Sequence, residues 1–347
     1  MMTKLRYKGI ALTVSCLLTI LLPAYACSRF TYTGPENTVV SGRSMDWVED
    51  LHTDLWSFPA GIKRIGSSEP NSVVWVSKYG SVIASAYDIG TTDGINTKGL
   101  TANLLYLSPT DYGQPKANRK NISIFTWAQF VLDNYATVDE VVNDFGQDKL
   151  NMIGPPLPNG SAPNVHLSVT DNNGDNAIFE YIDGKLVVHH SKAFKVMTNE
   201  PSYEKQLALN DYWQNLQGKF LPGTAEPADR FVRTSYYLNT SPPTSDTQKS
   251  IAIAFSIIRN VSVPIQEGSS GRPNVSMTLW RSVADLKNQV YYFENTNRPN
   301  VFWVDLNKLD LKQGASIKKL PMQKGEIYAG EASSQFVISP SFFDRKN

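Results

Sequence analysis

Apolar positions fall two apart at Phe30 and Tyr32 in a strand-like run from Cys27 to Thr33, a second strand-like run extends from Thr38 to Met45, and the four residues between, Gly34-Pro35-Glu36-Asn37, are turn formers. That pattern predicts a β-hairpin. Further β-rich runs follow at Ser72 to Val76, Ser81 to Tyr87 and Gly99 to Leu107. From Ile122 to Phe145 the apolar positions change to helical spacing (Phe125, Ala128, Val131, Leu132, Tyr135), and Val138 to Phe145 reads as a second helix capped by Thr137. Asn151 to Pro163 is rich in Pro and Gly and reads as a loop. Four strands are predicted next, at Val165 to Thr170, Asn176 to Ile182, Lys185 to His190 and Lys195 to Thr198. Three helices follow, at Ser202 to Gln214, Ala228 to Asn239 and Ser245 to Asn260. Ser276 to Asp285, Gln289 to Glu294 and Val301 to Leu306 return to strand. This order lacks the strict alternation of a parallel sheet, so an α+β fold of antiparallel sheets covered by helices is expected. No long linker, repeat or charge block divides the chain, and one domain is the economical reading.

The first 26 residues break with this pattern. Lys4, Arg6 and Lys8 precede an apolar run from Ile10 to Leu22, and Ala24-Tyr25-Ala26 has the small-x-small form of a cleavage site. Together they read as a secretory signal peptide over 1–26, leaving a domain over 27–347 in a secreted or periplasmic protein that no longer holds a membrane. A retained membrane anchor is one alternative, but the run is about 13 residues where a spanning helix needs roughly 20. A lipoprotein lipidated at Cys27 is the other. A lipobox prefers Leu three residues before its cysteine and small residues between, and those places hold Ala24 and Tyr25.

Cleavage after Ala26 would leave Cys27 with a thiol and a free α-amine on one residue. An α-amine titrates at roughly 7.7–8.0, so at neutral pH it can serve as general base for its own thiol. Cysteine usage agrees: Cys16 leaves with the signal peptide, so the 321 residues remaining of 347 have no disulfide to make. The balance of 33 basic against 32 acidic residues gives no electrostatic footprint for nucleic acid or an anionic membrane. His52, His166, His189 and His190 lack zinc-ligand spacing, and adjacent His189 and His190 on a strand face opposite ways. No Gly-x-Ser-x-Gly elbow or Gly-rich phosphate loop occurs, so the residues call for neither metal nor cofactor.

Downstream of Cys27 lies Gly42-Arg43-Ser44-Met45-Asp46-Trp47. On a strand, Arg43 and Met45 point one way, and Ser44 and Asp46 the other. Two readings compete: a strand-end salt bridge between Arg43 and Asp46, or a polar cage in which Arg43 lowers the thiol pKa and Asp46 orients the amine.

Cys27-Ser28-Arg29-Phe30 followed by that motif resembles the choloylglycine hydrolase family, which holds penicillin V acylases and bile salt hydrolases within the N-terminal nucleophile (Ntn) hydrolase superfamily. Gly99-Leu100 and the strand after it, Val196-Met197-Thr198-Asn199-Glu200-Pro201, and Asp229-Arg230-Phe231-Val232-Arg233 resemble the family's later segments in order. The resemblance implies a four-layer αββα sandwich with two antiparallel sheets, and hydrolysis of a linear amide without a cofactor. It places the nucleophile on Cys27, its arginine and aspartate on Arg43 and Asp46, the oxyanion asparagine on Asn199, and a second arginine on Arg230, with Arg233 the competing candidate. Attack by sulfur on an amide builds charge on oxygen, which needs pre-aimed donors. The side-chain amide of Asn199 and the backbone N–H of Tyr106 suit that need.

Tyr106 stands where bile salt hydrolases often carry Asn, and Trp47 directly after Asp46 looks like the Gram-negative acylase branch. Both are expected to bind the acyl group of a small-molecule amide. The activity so implied is that of a penicillin V acylase, with bile salt hydrolase or acyl-homoserine lactone acylase as alternatives. A lipidated, non-catalytic binding module is the alternative of another class. Asn199 and Arg230 stand 31 positions apart. That is short for the family and leaves out the insertion through which Gram-positive relatives interlock as tetramers, although a homo-oligomer stays open.

Overall fold

β1 (Ser28–Gly34) and β2 (Thr38–Trp47) form the hairpin that the two runs and their turn predict. β3 (Leu55–Phe58) follows, then a small flap of β4 (Lys63–Ile65) and β5 (Val74–Val76). β6 (Ser81–Ala86), β7 (Gly90–Asn96) and β8 (Thr101–Tyr106) make an antiparallel meander. β9 (Lys120–Ser123) leads into α1 (Ile124–Asn134) and α2 (Val138–Asp144) and pairs in parallel with β10 (Leu150–Ile153). β11 (Val165–Thr170), β12 (Asn176–Ile182) and β13 (Lys185–His190) form a second meander, and β14 (Val196–Met197) crosses to β1. Helices α3 (Tyr203–Gln214), α4 (Pro227–Thr240) and α5 (Thr247–Asn260) precede β15 (Met277–Asp285), β16 (Val290–Asn295) and β17 (Val301–Asp305). Three short strands close the chain: β18 (Lys318–Leu320), β19 (Gly330–Glu331) and β20 (Val337–Ile338). This computed structural model describes residues 27–216, 218–266, 276–298 and 300–344, so the predicted signal peptide lies outside the described residues.

Two large sheets result. One runs β14-β1-β2-β15-β16-β17-β19 and the other β13-β12-β11-β8-β7-β6-β3-β18-β20. Neighbouring strands are antiparallel throughout, except that two-residue β19 lies parallel to β17. Every residue of β2 is buried, so its sheet is covered on both faces. On one face, α5 lays Ile251, Ala254, Phe255 and Ile258, spaced as one helical stripe, against β1, β2 and β15. On the other, Thr31 bonds Asn176 of the second sheet at 2.7 Å and Arg43 bonds its backbone. The second sheet carries α1 on its far side, with Trp127, Val131 and Leu132 buried beneath it. The layers are therefore helix, sheet, sheet, helix, the αββα arrangement.

The helix ends follow local chemistry. Ser123 caps α1, Thr137 caps α2, and the Asp246 carboxylate accepts the Lys249 N–H at 2.9 Å at the start of α5. The predicted helical run starts two residues early, because Ile122 belongs to β9. The predicted loop over 151–163 likewise begins in β10. β7 escapes sequence reading because its residues Gly90-Thr91-Thr92-Asp93-Gly94 look like a polar turn. Its Asp93 is 1% exposed but satisfied by Asn103, Ser282 and Tyr291. Gly94 is tight as well: a Cβ there would lie 2.6 Å from Ile83.

His189 and His190 face opposite ways as expected, His190 toward Asp175 at 2.7 Å and His189 toward Glu180 at 3.4 Å. The Glu180 carboxylate also bonds His166 Nδ1 and accepts the N–H of Tyr203, the first residue of α3, at 3.0 Å. Burial pushes Glu180 up, but these hydrogen bonds outweigh it and hold the group at about 2. Because its folded pKa is depressed, its stabilisation is present above the ordinary value of 4.5 and is lost as pH falls from there toward about 2. Glu180→Gln should cost on the order of 3 kcal/mol at pH 7. The gap from the wild type should narrow as pH drops through that window, which urea unfolding at pH 7 and pH 3 measures.

Candidate active site

Cys27 stands immediately before β1 and is 2% exposed. Gly42 opens the downstream motif because Phe30 pairs across from it and lays its ring on the backbone: a Cβ at Gly42 would lie 2.5 Å from the ring. From there β2 alternates as predicted. Ser44 and Asp46 face the helices, where Ser44 Oγ accepts the Ser28 N–H and Asp46 accepts from Thr278 Oγ1 at 2.5 Å. Arg43 and Met45 face the second sheet. Arg43 Nη2 donates to Leu104 O at 2.5 Å and Nη1 to Thr92 O at 2.7 Å, with Asp93 at 3.8 Å and the Trp280 ring stacked beside it.

The expected contact of Arg43 with Asp46 does not form. β2 neither ends nor turns there but runs on to Trp47 in register with β15, so the two side chains stay on opposite faces. β15 itself carries a bulge, with Thr278 opposite Asp46 and Trp280 opposite Met45. The extra residue lets Thr278 reach Asp46 on one face and Trp280 reach Arg43 on the other.

The segments that the motifs mark in the sequence meet at Cys27. Its nitrogen donates to Asn199 Oδ1 at 2.5 Å, and its carbonyl accepts from Arg230 Nη1 at 2.5 Å. Arg230 also donates to Ser28 Oγ at 2.6 Å, to Asn199 Oδ1 at 2.8 Å and, through Nε, to Ala225 O at 2.8 Å. Asn199 Nδ2 donates to Tyr106 O at 2.7 Å. Two donors at one end of the amide and a carbonyl at the other fix which way it points. β7 pairs with β8 only as far as Asp93 opposite Asn103, so beyond that point the edge of β8 turns Leu104 O to Arg43 and Tyr106 O to Asn199.

Asn199 receives the Cys27 nitrogen, which in the full-length chain is an amide with a single hydrogen to give. One expectation is corrected here. The Cys27 thiol is raised, not lowered. Burial and the nearby Asp46 charge push it up and outweigh the pull of Arg43 and Arg230. Asp46 is also pushed up by burial, to about 6, against the lowering effect of Arg230, Thr278 and Ser44. Arg233 is no rival to Arg230, since it donates to Pro222 O and Thr224 O in the loop before α4.

Beside Cys27 opens a largely apolar cleft of about 620 Å³, the space at its open mouth included. Trp47 and Tyr106 form part of its wall, edge to face with centroids 6.1 Å apart. Phe125 at the start of α1 and Leu157 from the 154–164 loop line it further in. Cys27 Sγ lies 3.9 Å from Met45 Sδ and 3.6 Å from Asp46 O. Sequence reasoning missed Tyr87, Phe125, Leu157 and Thr278. Their signal is tertiary, for Thr278 lies 232 positions from its partner Asp46.

The family model for linear amide C–N hydrolases of the choloylglycine hydrolase family matches residues 27–320. A penicillin V acylase from Pectobacterium atrosepticum is 44% identical over 91% of this chain and 91% of its own. A bile salt hydrolase/transferase from Clostridium perfringens is 25% identical over 82% of this chain and 93% of its own. Among solved structures, penicillin V acylase from Agrobacterium tumefaciens superposes with a TM-score of 0.85 at 46% identity, covering 91% of this chain and 98% of that one. The chain belongs to the choloylglycine hydrolase family and has its Ntn-hydrolase fold. It is a hydrolase of linear amide C–N bonds.

The bonding of the two arginines separates them. Arg230→Met strips donors from the Cys27 carbonyl and from Asn199 Oδ1, so the Asn199 amide loses its fixed direction, and turnover should fall by about 100-fold, the loss typical when one oxyanion donor is put out of place. Arg233→Ala, which loosens only a loop, should keep turnover within about twofold, as expected for a substitution away from such features. Steady-state kinetics on both purified variants checks the pair.

Proposed function

We propose that this chain is an exported amidase with an N-terminal cysteine nucleophile, acting on amides whose acyl group is aromatic or long and apolar, in the manner of a penicillin V acylase. One observation carries the reading: nitrogen, carbonyl and sulfur of Cys27 are each held, by Asn199, Arg230 and Met45 with Asp46, at the wall of an apolar cleft. The match of the family model from residue 27 onward supports removal of residues 1–26. Removal turns the Cys27 amide into an amine with further hydrogens, which the nearby Asp46 carboxylate can accept beside Asn199. That amine takes the thiol proton as sulfur attacks the carbonyl carbon.

The oxyanion then falls to two donors. Asn199 Nδ2 has a second hydrogen beyond the one given to Tyr106 O, and the Tyr106 N–H lies on the same strand edge as its carbonyl. Collapse passes the proton to the leaving amine, and water releases the acid from the thioester. Trp47 and Tyr106 flank the acyl group. Phenoxymethylpenicillin is the preferred substrate on that account, with conjugated bile salts and long-chain acyl-homoserine lactones as the alternatives.

The reading of Cys27 as a lipid anchor is disfavoured by burial, because a lipidated sulfur must reach the membrane surface and this one faces the cleft. Among the described residues, no helix is long and apolar enough to cross a membrane.

Processing is the sharpest test. A chain with one uncleavable residue before Cys27 should fold with unchanged melting temperature yet lose turnover of phenoxymethylpenicillin, because an amide nitrogen has no basic lone pair. Cys27→Ala should behave likewise. Full turnover from the extended chain would place the base elsewhere.

A further inference from the structure

We propose that Tyr87 determines acyl specificity in this cleft and that Glu49 positions it. The inference rests on the amidase reading above. Tyr87 lines the cleft from the turn between β6 and β7. Its hydroxyl accepts from Trp47 Nε1 at 2.9 Å and donates to Glu49 Oε1 at 2.6 Å. Its backbone N–H reaches Leu51 O at 2.6 Å. Three bonds therefore stitch the 47–51 segment to this one turn, with the Trp47 indole held in a fixed plane against Tyr106.

The backbone makes the same point independently. The turn closes with Ile89 N–H on Ala86 O at 3.0 Å, and both central residues have positive φ, 54° at Tyr87 and 52° at Asp88. Such turns draw Asn and Gly, which tolerate that region, whereas a bulky aromatic there is strained. Strain of this kind persists at ligand-binding sites, where the side chain has other work. Here that work is visible, since Tyr87 presents its ring to the cleft and its hydroxyl to Trp47.

Glu49 is solvent-exposed and lies outside the cleft lining. Among the described residues its side chain bonds the Tyr87 hydroxyl, which with Glu49 as acceptor turns an oxygen lone pair toward the indole N–H. The wall of the acyl site is thus set by a chain of three side chains, Glu49, Tyr87 and Trp47. A rigid, planar acyl group that stacks on the indole should depend on it more than a flexible alkyl chain does.

The test is steady-state kinetics of the mature enzyme with phenoxymethylpenicillin and with decanoyl-homoserine lactone. Tyr87→Phe should raise KM for the phenoxyacetyl amide about three- to tenfold with kcat within twofold, and change KM for the decanoyl amide less. Tyr87→Asn, whose residue accepts positive φ, should raise KM at least as much while its melting temperature holds or rises. Glu49→Ala should match Tyr87→Phe, Glu49→Gln should stay near wild type because its amide oxygen still accepts, and the Glu49→Ala/Tyr87→Phe pair should be no worse than Tyr87→Phe alone. Trp47 emission, isolated by subtracting each variant's Trp47→Phe counterpart, should shift to longer wavelength in Tyr87→Phe. An unchanged KM for the phenoxyacetyl amide in both Tyr87 variants overturns the proposal, as does a Glu49→Gln enzyme as impaired as Glu49→Ala. Should the wild type turn over neither amide, the substrate reading above falls by itself. The Trp47 emission then decides the clamp, and an unshifted band ends it.

Discussion

Arg230 carries a guanidinium with no exposed surface, and the arrangement around Cys27 depends on that charge being matched. A buried ion loses several kcal/mol of hydration, which only close hydrogen bonds and an opposite charge offset. Arg230 finds four acceptors, and the Asp46 charge nearby counters the lowering of its pKa by burial. Its planar fork spreads these bonds over three stretches of chain, at 27–28, 199 and 225. None of the three is a neighbour of another in sequence. The place of Cys27 is therefore a property of the assembled α4, β1 and β14, and no segment fixes it alone.

The site works from both faces of one strand. β2 sends Asp46 and Ser44 to the helical side, where they join Arg230 and Thr278, and sends Arg43 and Met45 to the space between the sheets. Cys27 sits at the join, with its main chain served from one side and its sulfur facing the other. Arg43 holds the second sheet to the first through backbone carbonyls of β7 and β8, and its Nη2 also meets Met45 Sδ at 3.7 Å, the atom beside the Cys27 sulfur.

Much of this was legible in the sequence, for physical reasons that can be named. The β-rich runs of β1 and β2 flank a Gly-Pro-Glu-Asn turn, so their pairing was legible, and the opposite faces of Arg43 and Asp46 follow from the side-chain period of two on any strand. Helix α1 announced itself by the spacing of its apolar residues and α2 by its Thr137 cap, and α4 and α5 lie close to the helical runs read from the sequence. The family segments located Asn199, Tyr106 and Arg230. The rest was hidden because it depends on register between distant strands. Thr278 meets Asp46 only because β15 pairs with β2 around a bulge. β7 was unreadable because its polar residues are buried and satisfied across the sheets. Tyr87 looked like the end of a strand, and only a pair of positive φ angles reveals that its ring was kept at a strained turn. The net direction of the thiol shift was misjudged for a related reason: motif residues display nearby cations, whereas burial has no letter in the sequence.

That buried, raised thiol has a consequence for the life of the molecule before it meets a substrate. Disulfide exchange and alkylation proceed through the thiolate, and a sulfur whose ionisation is pushed up offers little of it to a passing oxidant. The surrounding cleft admits apolar groups and leaves the sulfur 2% of the residue's surface to share with solvent. Cys27, the one cysteine among the described residues, is thereby kept from wasteful oxidation by the same burial that withholds its charge. In the proposed reaction its reactivity is drawn out by a group that fills the cleft and brings a carbonyl to the sulfur.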